Sequence, residues 1–245
     1  MTIDLQHTSE TDVFYPETDG EPMADNTLQY EWIVTIKGGL DRLFAHNPEV
    51  FVAGNLFWYP VKGEPDIRRA PDALVVFGRP KGHRGSYRQW EEDNIAPQVV
   101  FEVQSPGNTV GEMREKFEFY DMHGVEEYYL YDPHTNALHG WQRSAGRLKP
   151  IAQMAGWRSP RLDIRFVLED DTLHIYRPDG QRFLTYDEQD EQREEVTKKF
   201  QEAIQEAQKA SQEAQKARQE TEQERAMRLK MEALLRKHGI DPYEE

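Results

Sequence analysis

Apolar positions along the chain recur first at helical spacing, then in short runs, then at helical spacing again. "TLQYEWIVTIKGGLDRLFAHN" (27–47) reads as an amphipathic helix, with Gly38 and Gly39 as points where it could kink or break. "VFVAGNLFWYPV" (50–61), "DALVVF" (72–77) and "QVVFEVQ" (98–104) are short apolar runs between turn formers, and read as strands. "TVGEMREKFEFYDMHG" (109–124) returns to a helical pattern. Thr109 and Glu112 have capping-box spacing, and Gly124 is a natural stop. "VEEYYLYDP" (125–133) is the next strand, and "ALHGWQRS", "LDIRFVLED" and "TLHIYRPDG" read as later antiparallel strands. The order helix, three strands, helix, strand predicts an α/β domain, with helices packed on a mixed sheet.

The pattern changes again towards the C-terminus. No Gly or Pro occurs from Gln181 to His238, and Glu, Gln, Ala, Lys and Arg dominate. Val196, Phe200, Ala203, Ala207, Ala210, Ala214 and Ala217 alternate spacings of four and three, and "QEAQKAS" and "QEAQKAR" are consecutive heptads. This is a coiled-coil pattern with an alanine seam. Each methyl is worth only about 0.8 kcal/mol. A single solvated helix and a homo-oligomer joined through this helix therefore both fit. The expected organisation is a flexible N-terminal segment over 1–14, a globular domain over 15–187 and the coiled-coil helix over 188–245.

Composition narrows the chemistry. The 245 residues contain no cysteine, which excludes disulfides and thiolate metal sites. No apolar run approaches the roughly 18 residues of a membrane span. The first 26 residues are acidic and polar, unlike a signal peptide. A soluble cytoplasmic protein, with no membrane partner, is expected. The formal net charge of −15 argues against a broad nucleic-acid surface. Residues 68–88 run the other way. Arg68, Arg69, Arg79, Lys81, Arg84 and Arg88 stand there with Asp72 as the only acid, a local charge of +5. The Gly-rich loop 79–88 reads either as a phosphate-binding element or as a solubilising surface.

Within "QVVFEVQSPGNT" (98–109), Glu102 and Gln104 interrupt a run that should be buried. Alternation puts them on one face with Val100, opposite Val99, Phe101 and Val103. A lone buried carboxylate costs several kcal/mol, so Glu102 needs a cation, a hydrogen-bond network or a proton. Asp72, directly after Pro71, opens the preceding strand. If the strands are neighbours, both carboxylates can converge on one Mg²⁺ or Mn²⁺. The alternative is that Asp72 starts a turn and Glu102 pairs with a buried Arg or Lys.

"APDALVVF", "VVFEVQSPGNT", "EMREKFEFY" and "GVEEYYLYDP", in this order and spacing, resemble the Uma-two family of endonucleases. That family belongs to the restriction-endonuclease-like PD-(D/E)-x-K superfamily. The resemblance covers roughly residues 15 to 187. It implies a restriction-endonuclease-like mixed β-sheet core flanked by helices, acting on DNA phosphodiester bonds with Mg²⁺ or Mn²⁺. It makes Asp72 and Glu102 the metal ligands. Gln104 stands where the superfamily's Lys is expected, and Lys116 of the following helix matches the Lys that the family carries there. Lys116 also sits four residues after Glu112, the spacing of a helix ion pair. An extra acid from the first helix would be Glu31, with Asp41 behind it, although a solvated face explains both. Tyr120 reads as a packing residue. His83, His123, His134 and His139 show no metal-ligand spacing, and no phosphate loop or Gly-x-Ser-x-Gly elbow is present. Two functions follow: a metal-dependent endonuclease, or a nuclease-fold module weakened by Gln104 that binds nucleic acid or protein.

Overall fold

The structure, a computed structural model, describes residues 13–18, 20 and 24–239. Most of the N-terminal segment expected to be flexible lies outside the described residues. The described residues form two compact units, one ending at Asp187 and the other starting at Glu188.

The first unit begins with α1 (Thr27–Leu43), followed by β1 (Val50–Ala53), β2 (Trp58–Tyr59), β3 (Ala73–Phe77), β4 (Tyr87–Arg88) and β5 (Val99–Val103). Then come α2 (Val110–Met122), β6 (Glu127–Asp132), β7 (Ala137–Ser144), β8 (Arg147–Pro150), β9 (Arg165–Leu168) and β10 (Leu173–Tyr176). Six strands form the main sheet in the order β1-β3-β5-β6-β7-β8. Only β5 and β6 pair in parallel within it, and α2 is the crossover that a parallel pair requires. The sheet is mixed, as the element order predicts.

Both faces of the sheet are covered, which is why its central strands read as unbroken apolar runs. Val99, Phe101 and Val103 pack with Ile33, Ile36 and Leu40 of α1 and with Phe166 and Ile175 of the β9–β10 hairpin. Val100, Leu74 and Val76 face the other way, onto Phe119 and Tyr120 of α2 and the indole of Trp58. The alternation expected for residues 99–103 is therefore the one observed.

Three local features differ from the sequence reading. Residues 50–61 are not one strand: the backbone turns at Asn55, with φ of 48°, and β2 pairs with β4 in a separate small sheet. Helix α1 runs straight through Gly38 and Gly39. A Cβ on Gly39 would sit 2.2 Å from the Phe183 ring, so this glycine serves close packing against the helix. Strand β8 was not anticipated. It returns from β7 through Ala145 and Gly146, both at positive φ (52° and 81°), as a two-residue hairpin turn requires.

The second unit is helical. Helix α3 spans Tyr186–Lys237, 52 residues, none of them buried. Val196, Phe200 and Ile204 are 62%, 67% and 41% exposed. No helix of the described residues is long and apolar enough to cross a membrane.

Candidate active site

Antiparallel pairing of β3 with β5 matches Ala73 with Phe101 and Leu74 with Val100. Continued by one residue, this register sets Asp72 opposite Glu102. Both point to the α2 face, the side shared by Leu74 and Val100. Like charges directly opposite one another on a sheet repel, and these two are also buried: Asp72 is 7% exposed and Glu102 1%.

Helix α2 supplies what offsets them. Its start is fixed by the Thr109–Glu112 capping box. Glu112 accepts from the Thr109 backbone N–H and hydroxyl, at 2.7 and 3.0 Å. It is thus a cap, and Lys116 bonds elsewhere. Lys116 Nζ donates to Glu102 Oε2 at 2.7 Å. One turn further on, the Tyr120 hydroxyl donates to Glu102 Oε1. Tyr120 stacks on Trp58 and is fully buried, which holds the phenol in place.

The charges do not balance. Two carboxylates face one ammonium. Burial, and then the nearby charge of Glu102, push the Asp72 carboxyl well above the usual range; Lys116 and the Val103 N–H oppose this without cancelling it. Burial pulls the Lys116 ammonium down, but Glu102 and Asp72 outweigh it and hold the group above its ordinary value. Lys116 is therefore charged at neutral pH. Burial and the Glu102 carboxylate raise Tyr120, which stays a neutral donor.

The strand end carrying Glu102 is clamped from both sides. The Val103 N–H donates to Asp72 Oδ2 at 2.6 Å. The Val103 carbonyl accepts from Gln29 Nε2 at 2.9 Å, and Gln29 Oε1 accepts from the Asp25 N–H at 2.8 Å. The Asp25 carboxylate in turn accepts from the Ser105 hydroxyl.

These groups border a cavity of about 430 Å³, lined by Asp25, Gln29, Phe57, Arg68, Arg69, Asp72, Asn108 and Lys116 among others. Of the residues named from sequence, Asp72, Glu102 and Lys116 are brought together. Gln104 is not. It follows β5, its backbone N–H donates to the Tyr131 carbonyl, and its side chain bonds to none of the three. Glu31 is exposed on α1, and Asp41 pairs with Lys37. The acid from the first-helix region that lines the cavity is Asp25.

Loop 79–88 does not line this cavity. Arg79 pairs with Asp93 and Glu92, Arg84 with Glu92, and Arg88 with Glu91. Lys81 donates to the Phe44 and Ala45 carbonyls, closing the C-terminal end of α1. The three arginines of this loop are paired with acids that follow it in sequence.

A family model described as "Uma2: Putative restriction endonuclease" matches residues 34–165, over half of the chain. The chain belongs to the Uma2 family. Asp72, Glu102, Lys116 and Tyr120 fall inside the matched segment of this Uma2 protein, whereas Asp25 and Gln29 precede it. Among solved structures, a "putative nuclease belonging to DUF820" from Anabaena variabilis is similar at 12% identity and a TM-score of 0.43. That similarity covers 60% of this chain and 82% of the other. No curated protein matches the chain.

Sequence reasoning missed the Tyr120 bond and the Asp25–Gln29 clamp. Tyr120 carried a usable signal, since it lies four residues after Lys116 and so shares its helix face. Gln29 carried none, because its partner is 74 positions away.

Proposed function

We propose that this Uma2 protein is a divalent-metal-dependent endonuclease that hydrolyses DNA phosphodiester bonds at the Asp72–Glu102–Lys116 site. The observation that carries this reading is the pair of opposed buried carboxylates, Glu102 bonded to Lys116, with Asp72 and Lys116 on the wall of a polar cavity.

The residues fit a hard cation. Both donors are carboxylate oxygens, their mutual repulsion is only partly offset by Lys116, and Asp72 faces the cavity. Among the described residues no cluster of three or more His, Cys, Asp or Glu side chains stands ready for a metal. Mg²⁺ and Mn²⁺ suit such a sparse set, because Mg²⁺ commonly takes one or two carboxylates and completes its shell with water and phosphate oxygens. Bound there, the ion would polarise the phosphoryl oxygen and lower the pKa of a bound water. Tyr120 fixes the orientation of Glu102, and the Asp72–Val103 bond fixes that of Asp72. Lys116 provides a positive charge for the extra negative charge that develops on the phosphate as water attacks phosphorus and the ester P–O bond breaks. In this reading Lys116, from α2, does the work expected of a Lys at position 104. That favours an enzyme over a binding module weakened by Gln104.

The test is cleavage of single-stranded, duplex and branched DNA with Mg²⁺ or Mn²⁺. Cleavage that requires the metal and is lost in Asp72→Asn and Glu102→Gln is expected. Cleavage that survives either substitution, or no cleavage of any substrate with either metal, would refute the reading.

We further propose that α3 joins copies of the chain as a coiled coil through its alanine seam. Ending the chain after Asp187 should lower the mass measured by light scattering to that of one copy. A truncated chain with the same number of copies as the full chain would show that the helix is not the contact.

A further inference from the structure

We infer that the site takes single-stranded DNA, gripped at about two phosphates by Arg68 and Arg69, and not an intact duplex. This rests on the nuclease reading and specifies its substrate.

Access comes first. With Asp72 7% and Glu102 1% exposed, a phosphodiester reaches them only by entering the cavity. Its volume of about 430 Å³ lies near the lower end of ordinary small-ligand pockets, roughly 300–1,000 Å³. That is room on the scale of one nucleotide. A base-paired strand would have to unstack and unpair to follow its phosphate in, at a penalty of a few kcal/mol. A strand already single does not incur it.

The distribution of positive charge points the same way. A protein that tracks a duplex neutralises many phosphates along it. Here loop 79–88 is bonded within the fold, with Arg79 and Arg84 only 16% and 13% exposed against Glu92. Lys116 is bound to Glu102. The cations that line the cavity besides Lys116 are Arg68 and Arg69. Each is positioned without being buried. The Arg68 guanidinium lies over the Phe57 ring at 5.1 Å, and that of Arg69 over Phe119 at 5.6 Å. Arg69 pairs with Glu115, which is 69% exposed, and Arg68 stands 4.0 Å from the fully exposed Asp66. Each guanidinium also donates one N–H to a nearby backbone carbonyl, Arg68 to Pro65 at 2.7 Å and Arg69 to Arg68 at 2.9 Å, which uses one of its five N–H groups. Exposed ion pairs of this kind are worth little, so an incoming phosphate can displace the two carboxylates. A guanidinium presents a planar fork suited to phosphate oxygens.

The experiment is binding in EDTA, where no cleavage intervenes. Fluorescence anisotropy compares labelled oligothymidine of about 12 nucleotides with a blunt duplex of the same length, across a salt series. The strand should bind about tenfold or more tightly than the duplex. The logarithm of its affinity should fall against that of salt with a slope of about −1.4, corresponding to two phosphates. Arg68→Ala and Arg69→Ala should each flatten the slope by about 0.7, while Arg88→Ala leaves it unchanged. Lysine at either position should restore the slope and so separate lost charge from a disturbed fold. Equal or tighter duplex binding, no binding of either probe, or a slope that responds to Arg88→Ala instead, overturns the inference. Strand binding without metal-dependent cleavage would leave the inference standing and refute the nuclease reading. Cleavage with preferential duplex binding would do the reverse.

Discussion

Two buried glutamates in the same sheet are handled in opposite ways. Glu127 on β6 and Glu102 on β5 are each 1% exposed. Around Glu127 the donors are neutral: the Tyr129 hydroxyl at 2.9 Å, the Ser159 hydroxyl, and the Arg161 backbone N–H at 2.9 Å. Burial raises the Glu127 carboxyl, and those three bonds pull back against it. The donors surround the group, and it does not border the cavity. Glu102 has a phenol and an ammonium, but a second carboxylate stands opposite, and that carboxylate opens onto the cavity. A buried acid that the fold fully satisfies is a clamp. A buried acid left with a like charge beside it is an incomplete site, and such frustration is where function concentrates.

The largest expected effect separates the two. Glu102→Gln and Asp72→Asn should each lower metal-dependent cleavage by about a thousandfold or more. Glu127→Gln should leave it within about twofold, because the substitution lies at a clamp outside the cavity. It should instead cost about 1–3 kcal/mol of stability, since the amide NH₂ would point at groups that are themselves donors. Kinetics and thermal melts on the same preparations check both halves. A thousandfold loss on changing Glu127 would break the distinction.

How much of this was legible depended on sequence separation. The α/β order, the capping box and the faces of residues 99–103 are local patterns, and the chain displays them directly. Asp72 opposite Glu102 needed only two strands and an assumed pairing. Glu127 was unreadable as a clamp, because Ser159 and Arg161 lie more than thirty positions away in an irregular segment. The basic loop misled for a related reason. Its compensating acids, Glu91, Glu92 and Asp93, begin three residues past the window in which the charge was counted. Gln104 directly follows the last residue of β5, Val103, and its side chain bonds to none of Asp72, Glu102 and Lys116, which no local pattern announces.

A second expected effect uses stability as the readout. The Asp72 carboxyl is raised in the fold, so the folded chain holds that proton more tightly than the unfolded chain does. The associated stability is complete below the ordinary Asp range near 3.8 and is lost as pH rises through the raised value. Asn at position 72 resembles the protonated acid: its oxygen can accept from the Val103 N–H and its NH₂ can donate to Glu102. Asp72→Asn should therefore melt higher than the parent at pH 7 in EDTA, with the gap closing as pH falls towards 4. Each kcal/mol corresponds to roughly 2–4 °C for a domain of this size. Mg²⁺ should raise the parent's melting temperature by mass action and leave the variant unmoved. A variant less stable than the parent at neutral pH would mean that Lys116 fully balances the pair. Glu102 would then be a clamp like Glu127.

The smallest effect compares one hydroxyl with another. Tyr120 and Tyr129 each donate to a buried glutamate, so Tyr120→Phe and Tyr129→Phe remove the same bond from the two settings. Each should cost about 1–3 kcal/mol of stability for the acceptor left short of a donor. Tyr129→Phe also strips the Trp157 indole of its acceptor, which places it at the upper end. Only Tyr120→Phe should slow turnover, by about tenfold, the equivalent of roughly 1.4 kcal/mol. The loss should fall on kcat and spare KM, because Tyr120 holds a group that acts on the reacting phosphate and touches no substrate itself. Lys116 remains on the other carboxylate oxygen, so Glu102 keeps one anchor and the loss stays well short of that from Glu102→Gln. Equal turnover in the two phenylalanine variants would show that the phenol beside Glu102 stabilises the fold just as the one beside Glu127 does, and that Lys116 alone orients the site.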